Sequence, residues 1–383
     1  MKIHITLVGG QPAPVYNGIV ATRPDKVVFV YSNSEDSIKS VEAVRMETDI
    51  DIDEQEPLDT TNPQKILERA TSLAEQYKYD DVTLNISSGL KSWSHLFGRV
   101  FDSLPNASVV YMDQNNILWN YRTMESQSDF VFDMDVQFRL YGNNLENYKQ
   151  LSDYTENDLK ALEKIKNVRM VNVADFNCLT ATLTDKQKNI LRNQKSGKFD
   201  LVATGSQSYV EWEKTTKDRI GFVRIYLAKK NGKGVEVSFN AENAVDLTFN
   251  SGWFEYEVAT MLSKWDKAKS IYLNCHFPFK PNIDKNEVDI IVNTGSKILF
   301  VECKTQIMHT TDIDKFRSVV KGYGGMGSKG LFVTYAKMSE VANKKCEENG
   351  LLSFALQDEH FGMTNEKALF FLLNNELFNI NTK

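Results

Sequence analysis

Only four of the 383 residues are cysteine (Cys178, Cys275, Cys303, Cys346), and none of them forms a CxxC pair. Scattered thiols of this kind argue against a disulfide framework or a cysteine zinc site and for a reducing, cytoplasmic location. The five histidines stand apart from one another and make no zinc site either. No apolar run approaches the ~20 residues of a membrane span, so no membrane association is expected. The opening "MKIHITLVGG" reads as a strand and lacks the apolar stretch of a signal peptide. GxGxxG and Walker A patterns are absent, which disfavours nicotinamide and ATP-hydrolysis chemistry. There is no internal repeat and no low-complexity tract. The net charge is −6, so contact with nucleic acid has to come from a local basic surface.

What is present is enough apolar sequence, 42%, to bury a large core and more than one domain. Over the first ~150 residues, strand and helix patterns alternate. "KIHITLV", "KVVFVY", "DVTLNISS" and "SVVYMD" read as strands. "NPQKILERATSLAEQY" and "SWSHLFGRVF" carry apolar residues at helical spacing. That alternation predicts an α/β unit with a mainly parallel, Rossmann-like sheet, whose ligands bind beyond the carboxyl ends of the strands.

Two loops lie at such ends. "GGQPAP" presents Gly10, Gln11 and Pro12, and "NISSGLK" presents Asn85, Ser87, Ser88, Gly89 and Lys91. Small residues let backbone N–H groups approach an anion, and a lysine opening a helix is rationalised by an anionic neighbour. A plain strand–loop–helix turn with a solvated lysine explains the second loop equally well on chemistry alone. "NISSGLK" resembles the N-x-T-G-G-T-K loop of CARF domains, sensors of cyclic oligoadenylates in type III CRISPR defence. Asn85, Ser87, Gly89 and Lys91 match in identity or chemistry, whereas Ser88 replaces a glycine and Leu90 a threonine. The resemblance covers residues 1–150. It implies a cyclic oligoadenylate ligand, cyclic tetra-adenylate foremost, bound by Gly10, Gln11, Pro12, Asn85, Ser87, Ser88, Gly89 and Lys91 of a homodimer.

Residues 151–248 read as a linking region. It holds a helix, "TENDLKALEKIKNV", and a hairpin, "FVRIYLAKKNGKGVEVSF", turning at Asn231-Gly232. The chemistry falls in residues 249–383. "EVDIIV" and "KILFVECK" flank the turn Asn293-Thr294-Gly295-Ser296 and should pair as antiparallel neighbours. Strand alternation then puts Glu302 and Lys304 on one face, where Asp289 joins them if the register allows. Two carboxylates and an ammonium among Val, Ile and Phe need partners. They suit a hard divalent ion, Mg2+ or Mn2+, with the lysine serving the attacking water or the scissile phosphate. A salt-bridged hairpin is the structural alternative.

The pattern D-x12-E-x-K on two apolar strands resembles the PD-(D/E)xK (restriction-endonuclease-like) nuclease core, in which a preceding helix adds an acid. "SGWFEYEVATMLSKW" supplies that helix, with Glu255 as the acid and Glu257 as its rival. The resemblance implies Glu255, Asp289, Glu302 and Lys304 as catalytic residues, and Asp289, Glu302 and the Cys303 carbonyl as metal ligands. Together the two resemblances imply a cyclic oligoadenylate-activated, metal-dependent nuclease acting on DNA, RNA or both. An unregulated restriction- or repair-type nuclease and a non-catalytic nucleotide sensor are the alternatives. Of the histidines, His276 is expected to be a packed, hydrogen-bonded core residue.

Overall fold

The computed structural model describes all residues except 59–60, 114, 129–132, 230–232, 282, 284, 296, 308, 325–327 and 381–383. The first unit is a seven-stranded sheet: β1 (Lys2–Leu7), β2 (Lys26–Val30), β3 (Asp51–Asp53), β4 (Asp81–Asn85), β5 (Ala107–Met112), β6 (Leu118–Asn120) and β7 (Glu125–Gln127). The spatial order is β3-β2-β1-β4-β5-β6-β7, with the first five strands parallel and the last two antiparallel. The intervening helices are α1 (Pro12–Thr22), α2 (Glu35–Met46), α3 (Pro63–Gln76) and α4 (Lys91–Asp102). Ile3, Ile5, Leu7, Val28 and Val30 face α3 and α4, whose Ile66, Leu73, Trp93, Phe97 and Phe101 complete one apolar layer. Val27 and Phe29 point the other way, into a layer with Val15 and Ile19 of α1 and Val41 and Val44 of α2. A sheet covered on both faces needs the uninterrupted apolar strands seen in the sequence.

Helix α5 (Met134–Leu140) leads to a short strand, β8 (Asn147–Lys149), which belongs to a different sheet and pairs with its strand β13 (Ser270–His276). Between them lie α6 (Glu156–Arg169), α7 (Val173–Thr180) and α8 (Asp185–Asn193). A four-stranded antiparallel sheet follows: β9 (Ser196–Asp200), β10 (Tyr209–Glu213), β11 (Phe222–Leu227) and β12 (Val235–Asn240), in the order β12-β11-β10-β9. The hairpin strands β11 and β12 pair as expected, from Leu227 opposite Val235 to Phe222 opposite Asn240. The Asn231-Gly232 turn lies outside the described residues. This region does more than link. Leu162, Ile165, Trp212 and Ile225 share one apolar core with α10 (Gly252–Ser263) and the strands beyond it.

The last sheet has the order β17-β16-β15-β14-β13-β8. It contains β14 (Glu287–Asn293), β15 (Ile298–Lys304), β16 (Ser328–Thr334) and β17 (Leu352–Ala355). Helix α9 (Ala244–Thr248) precedes α10, and α11 (Thr311–Tyr323), α12 (Glu340–Glu348) and α13 (Asn365–Phe378) complete the unit. Strands β14 and β15 are antiparallel neighbours, and β15, β16 and β17 run parallel. Of the turn joining the hairpin, Ser296 lies outside the described residues. Strand β13 stands between α10 and the hairpin in the sequence. Ile271 and Leu273 join one core layer and Cys275 the other, the strand being irregular at Asn274, whose φ is +51°. His276 has 42% of its side chain exposed, which corrects the expectation of a core histidine. Its Nδ1 lies 3.0 Å from the Asn274 carbonyl. No helix among the described residues is long and apolar enough to cross a membrane.

Candidate functional site

The hairpin ladder ends with Ile290 opposite Val301, and Asp289 and Glu302 are the next residues of the two strands. Both carboxylates are buried, 5% and 4% exposed. Asp289 Oδ2 accepts the Cys303 main-chain N–H at 2.7 Å. Lys304, two residues after Glu302 and on the same face, approaches Glu302 Oε1 at 2.6 Å and Asp289 Oδ2 at 3.7 Å. Asp289, Glu302 and Lys304 therefore meet in one pocket at the open end of the hairpin. The Cys303 carbonyl accepts a hydrogen bond from the Lys304 ammonium at 3.2 Å.

A second ammonium, which sequence reasoning missed, completes the cluster. Lys285 Nζ lies 2.9 and 2.8 Å from the two Glu302 oxygens and 3.4 Å from Asp289 Oδ1. Lys285 lies two residues before β14 begins, so strand alternation in the sequence did not reach it.

Helix α10 brings the fourth residue. It is buried on several sides, by Trp253, Phe254, Val258, Ala259 and Leu262, so even Glu255 in its first turn is only 9% exposed. Gly252 lets the helix start this close to α9: a Cβ there would lie 1.9 Å from the Asp246 carbonyl oxygen. Glu257 pairs instead with Lys166 of α6 at 3.1 Å. Burial, reinforced by the Asp289 charge, raises the Glu255 carboxyl well above the ordinary range, so it favours the neutral acid. Burial acts in the same direction on Asp289, but Lys285, Lys304 and the Cys303 N–H outweigh it and hold that carboxyl below its ordinary value. Burial would lower Lys304, yet the Asp289 and Glu302 charges raise it well above a free lysine. Burial also raises the Cys303 thiol, which leaves that side chain neutral. Among the described residues, no three acidic, cysteine or histidine side chains come together as a ready ligand set.

At the other unit, the two loops touch. Gly9 N–H donates to Ser88 Oγ at 3.0 Å. Gly89 has φ +78°, and a Cβ there would lie 2.9 Å from Leu7 Cβ, so only glycine fits. Asn85 is fully buried: its amide donates to the Pro14 carbonyl at 3.3 Å, and its oxygen accepts from Ser87 N–H at 3.0 Å and from the Ser87 hydroxyl. Ser87 Oγ in turn accepts Met112 N–H at 2.6 Å. Asn85 and the Ser87 hydroxyl thus shape the loop from beneath. Pro12 is also buried, Gln11, Ser88 and Gly89 are half-buried, and Gly10 and Lys91 are exposed. Helices α2 and α3 are capped by the Ser34 and Asn62 side chains, whereas no side chain caps α1 or α4. The α4 N-terminus therefore presents backbone N–H groups at "NISSGLK", whereas α1 opens with Pro12 and Pro14, which carry no N–H.

Gln11 and Ser87 also line a cavity of about 600 Å3 whose far wall includes Asn293, Lys297 and Lys329 from the turn end of the hairpin and from β16. The Asp289–Glu302 end of the hairpin lies four residues further along each strand, roughly 13 Å away at ~3.3 Å per residue.

No protein-family model matches the sequence, and no curated protein matches it significantly. Solved structures do match. Can2 from Sulfobacillus thermosulfidooxidans, solved in complex with cyclic tetra-adenylate, superposes with a TM-score of 0.62 at 17% identity, covering 98% of this chain and 99% of that one. Protein VC1899 from Vibrio cholerae gives 0.59 at 16% identity, over 92% and 94%. A type III CRISPR defence DNA nuclease activated by cyclic oligoadenylate gives 0.54 at 16% identity, covering 96% of this chain but 51% of that one, so this chain spans about half its length. At such identities the likeness is one of fold. The resemblance to CARF-domain nuclease effectors read from the sequence is thereby met at that level: the chain has the Rossmann-like plus nuclease-like α/β architecture of these proteins almost end to end.

Proposed function

We propose that this protein is a divalent-metal-dependent endonuclease that hydrolyses phosphodiester bonds in DNA, RNA or both and is switched on by a cyclic oligoadenylate, foremost cyclic tetra-adenylate, in type III CRISPR antiviral defence. The observation that carries the reading is the meeting of Asp289, Glu302 and Lys304, from two adjacent strands, in one buried pocket, with Glu255 of α10 buried and its carboxyl raised by burial and by the Asp289 charge. A buried cluster this charged is costly for stability alone. The fold shared with a protein solved with cyclic tetra-adenylate and with a cyclic oligoadenylate-activated DNA nuclease supports the same reading.

In this reading residues 1–150 sense and 249–383 cleave, with 151–248 joining them and packing into the core of the second. Asp289 and Glu302 converge on a single cation position, which fits Mg2+ or Mn2+, ions that take oxygen ligands and keep several waters. Asp289, Glu302 and the Cys303 carbonyl would hold that ion, which supplies an activated water and neutralises charge on the scissile phosphate. Lys304 orients the attacking water or faces the phosphate oxygens. Glu255, kept neutral by burial, contributes a proton beside Asp289 rather than another negative charge. The activator sits against Gly10, Gln11, Ser88, Gly89 and Lys91, over the N-terminus of α4. Its several phosphates suit two copies of these loops across a dyad, so the working unit is a homodimer.

Nuclease assays with Mg2+ or Mn2+, with and without cyclic tetra-adenylate, test this. Cleavage that needs both metal and activator is expected. Cleavage indifferent to activator means an unregulated nuclease, and activator binding with no cleavage means a sensor alone.

A further inference from the structure

Lys285 places its ammonium on the inner side of the carboxylate pair. It contacts both Glu302 oxygens and Asp289 Oδ1, whereas Lys304 approaches Asp289 by Oδ2. A divalent ion bound by the same oxygens at ~2.1 Å would lie within van der Waals distance of that ammonium. Two cations do not share such a space: their repulsion is not screened in a buried pocket. Lys285 also has the means to leave. It belongs to the connection between β13 and β14, outside regular structure, and its side chain is 25% exposed. The connection is pinned at its base by Phe277 N–H to the Asn286 carbonyl at 2.8 Å and by the Asn286 amide to the Phe277 carbonyl at 2.8 Å. The side chain can therefore swing without unfolding the backbone beside it.

We propose that Lys285 competes with the divalent ion for the Asp289–Glu302 position, so that metal loading expels its ammonium toward solvent and its presence weakens the metal affinity of the pocket. The inference rests on the metal-dependent reading above, and it makes Lys285 a positioning residue for metal loading rather than a catalytic one.

Two measurements test it. In the wild-type protein, acylation of lysine amines read by mass spectrometry should label Lys285 severalfold more at saturating Mn2+ than without it. Titration calorimetry should show Lys285→Met binding Mn2+ about tenfold more tightly than wild type, with Lys285→Arg close to wild type. Unchanged labelling, or a Lys285→Met variant that binds no more tightly, overturns the role of Lys285. The metal reading survives that result if wild-type binding is present and is lost in Asp289→Asn. Absence of Mn2+ binding in all variants overturns both. Should Lys285→Met fail to fold, the labelling of the wild-type chain decides.

Discussion

The Cys303 N–H points at Asp289 Oδ2 from 2.7 Å, so one strand of the hairpin fixes the carboxylate of the other. Removing that carboxylate has a structural cost as well as a chemical one. Asp289→Ala leaves a buried N–H unpaired and two ammonium groups short of a counter-charge, and should cost about 3 kcal/mol. Asp289→Asn keeps an acceptor and should cost less. Both should lower cleavage at least ~100-fold. Denaturant melts and turnover on the same preparations check this; an Asn variant with wild-type turnover would remove Asp289 from the chemistry.

Glu255 has its carboxyl raised in the folded state, first by burial and then by Asp289. Such a group keeps its full contribution below its unfolded pKa of about 4.3 and loses it as pH rises through the folded value. Gln, a neutral isostere, does not titrate. Glu255→Gln should therefore be more stable than wild type at pH 8, with the difference shrinking toward pH 5, while cleavage is lost. Thermal melts across that range give the answer. A gap that widens toward acid would mean that the nearby lysines hold Glu255 ionised after all.

At the loops, Lys91→Ala and Gln11→Ala should each weaken cyclic tetra-adenylate binding about tenfold, the equivalent of ~1.4 kcal/mol, and leave the rate at saturating activator unchanged. Calorimetry paired with an activation curve tests both halves. Unchanged affinity in both variants would put the activator elsewhere.

His4 is fully buried on β1, and desolvation pushes its pKa down to about 3. Its Nδ1 lies 2.9 Å from Thr22 Oγ1. A histidine held neutral in the fold is protonated on unfolding below pH ~6.5, so its stabilising contribution is present above that value and is lost as pH falls. The loss approaches ~1.4 kcal/mol per pH unit once the unfolded chain is fully protonated. Between pH 7 and pH 5 the denaturation midpoint should fall more in wild type than in His4→Asn. Parallel slopes would show that His4 is not the group responsible.

The hairpin was legible because alternation is a two-residue rule: Glu302 and Lys304 had to share a face, and good turn residues between two apolar runs made pairing with Asp289 the natural register. Lys285 was not, because β14 begins only at Glu287 and the pattern gives no licence to extend beyond a strand's end. Strand β13 escaped notice although its buried residues are apolar, since polar and apolar positions alternate and the stretch lacks the continuous run that marked β2 and β14. In the middle sheet only the β11–β12 hairpin was legible. Strand β9, "SGKFD", buries a single side chain, Phe199, and its place is settled by Trp212 and Phe249 packing on that ring from remote parts of the sequence.

Strand β8, only three residues long and contributed from before residue 150, has a practical meaning for anyone dividing the chain. It covers the outer edge of β13, with Lys149 opposite Leu273 and Asn147 opposite His276. A fragment starting at residue 151 would strip that cover and leave a row of unpaired main-chain donors and acceptors, a template for edge-to-edge aggregation. One begun ahead of Asp133, whose side chain caps α5, would keep both the helix and the strand. Where the polypeptide is cut would then decide whether its C-terminal half is recovered as a dispersed protein or as a precipitate.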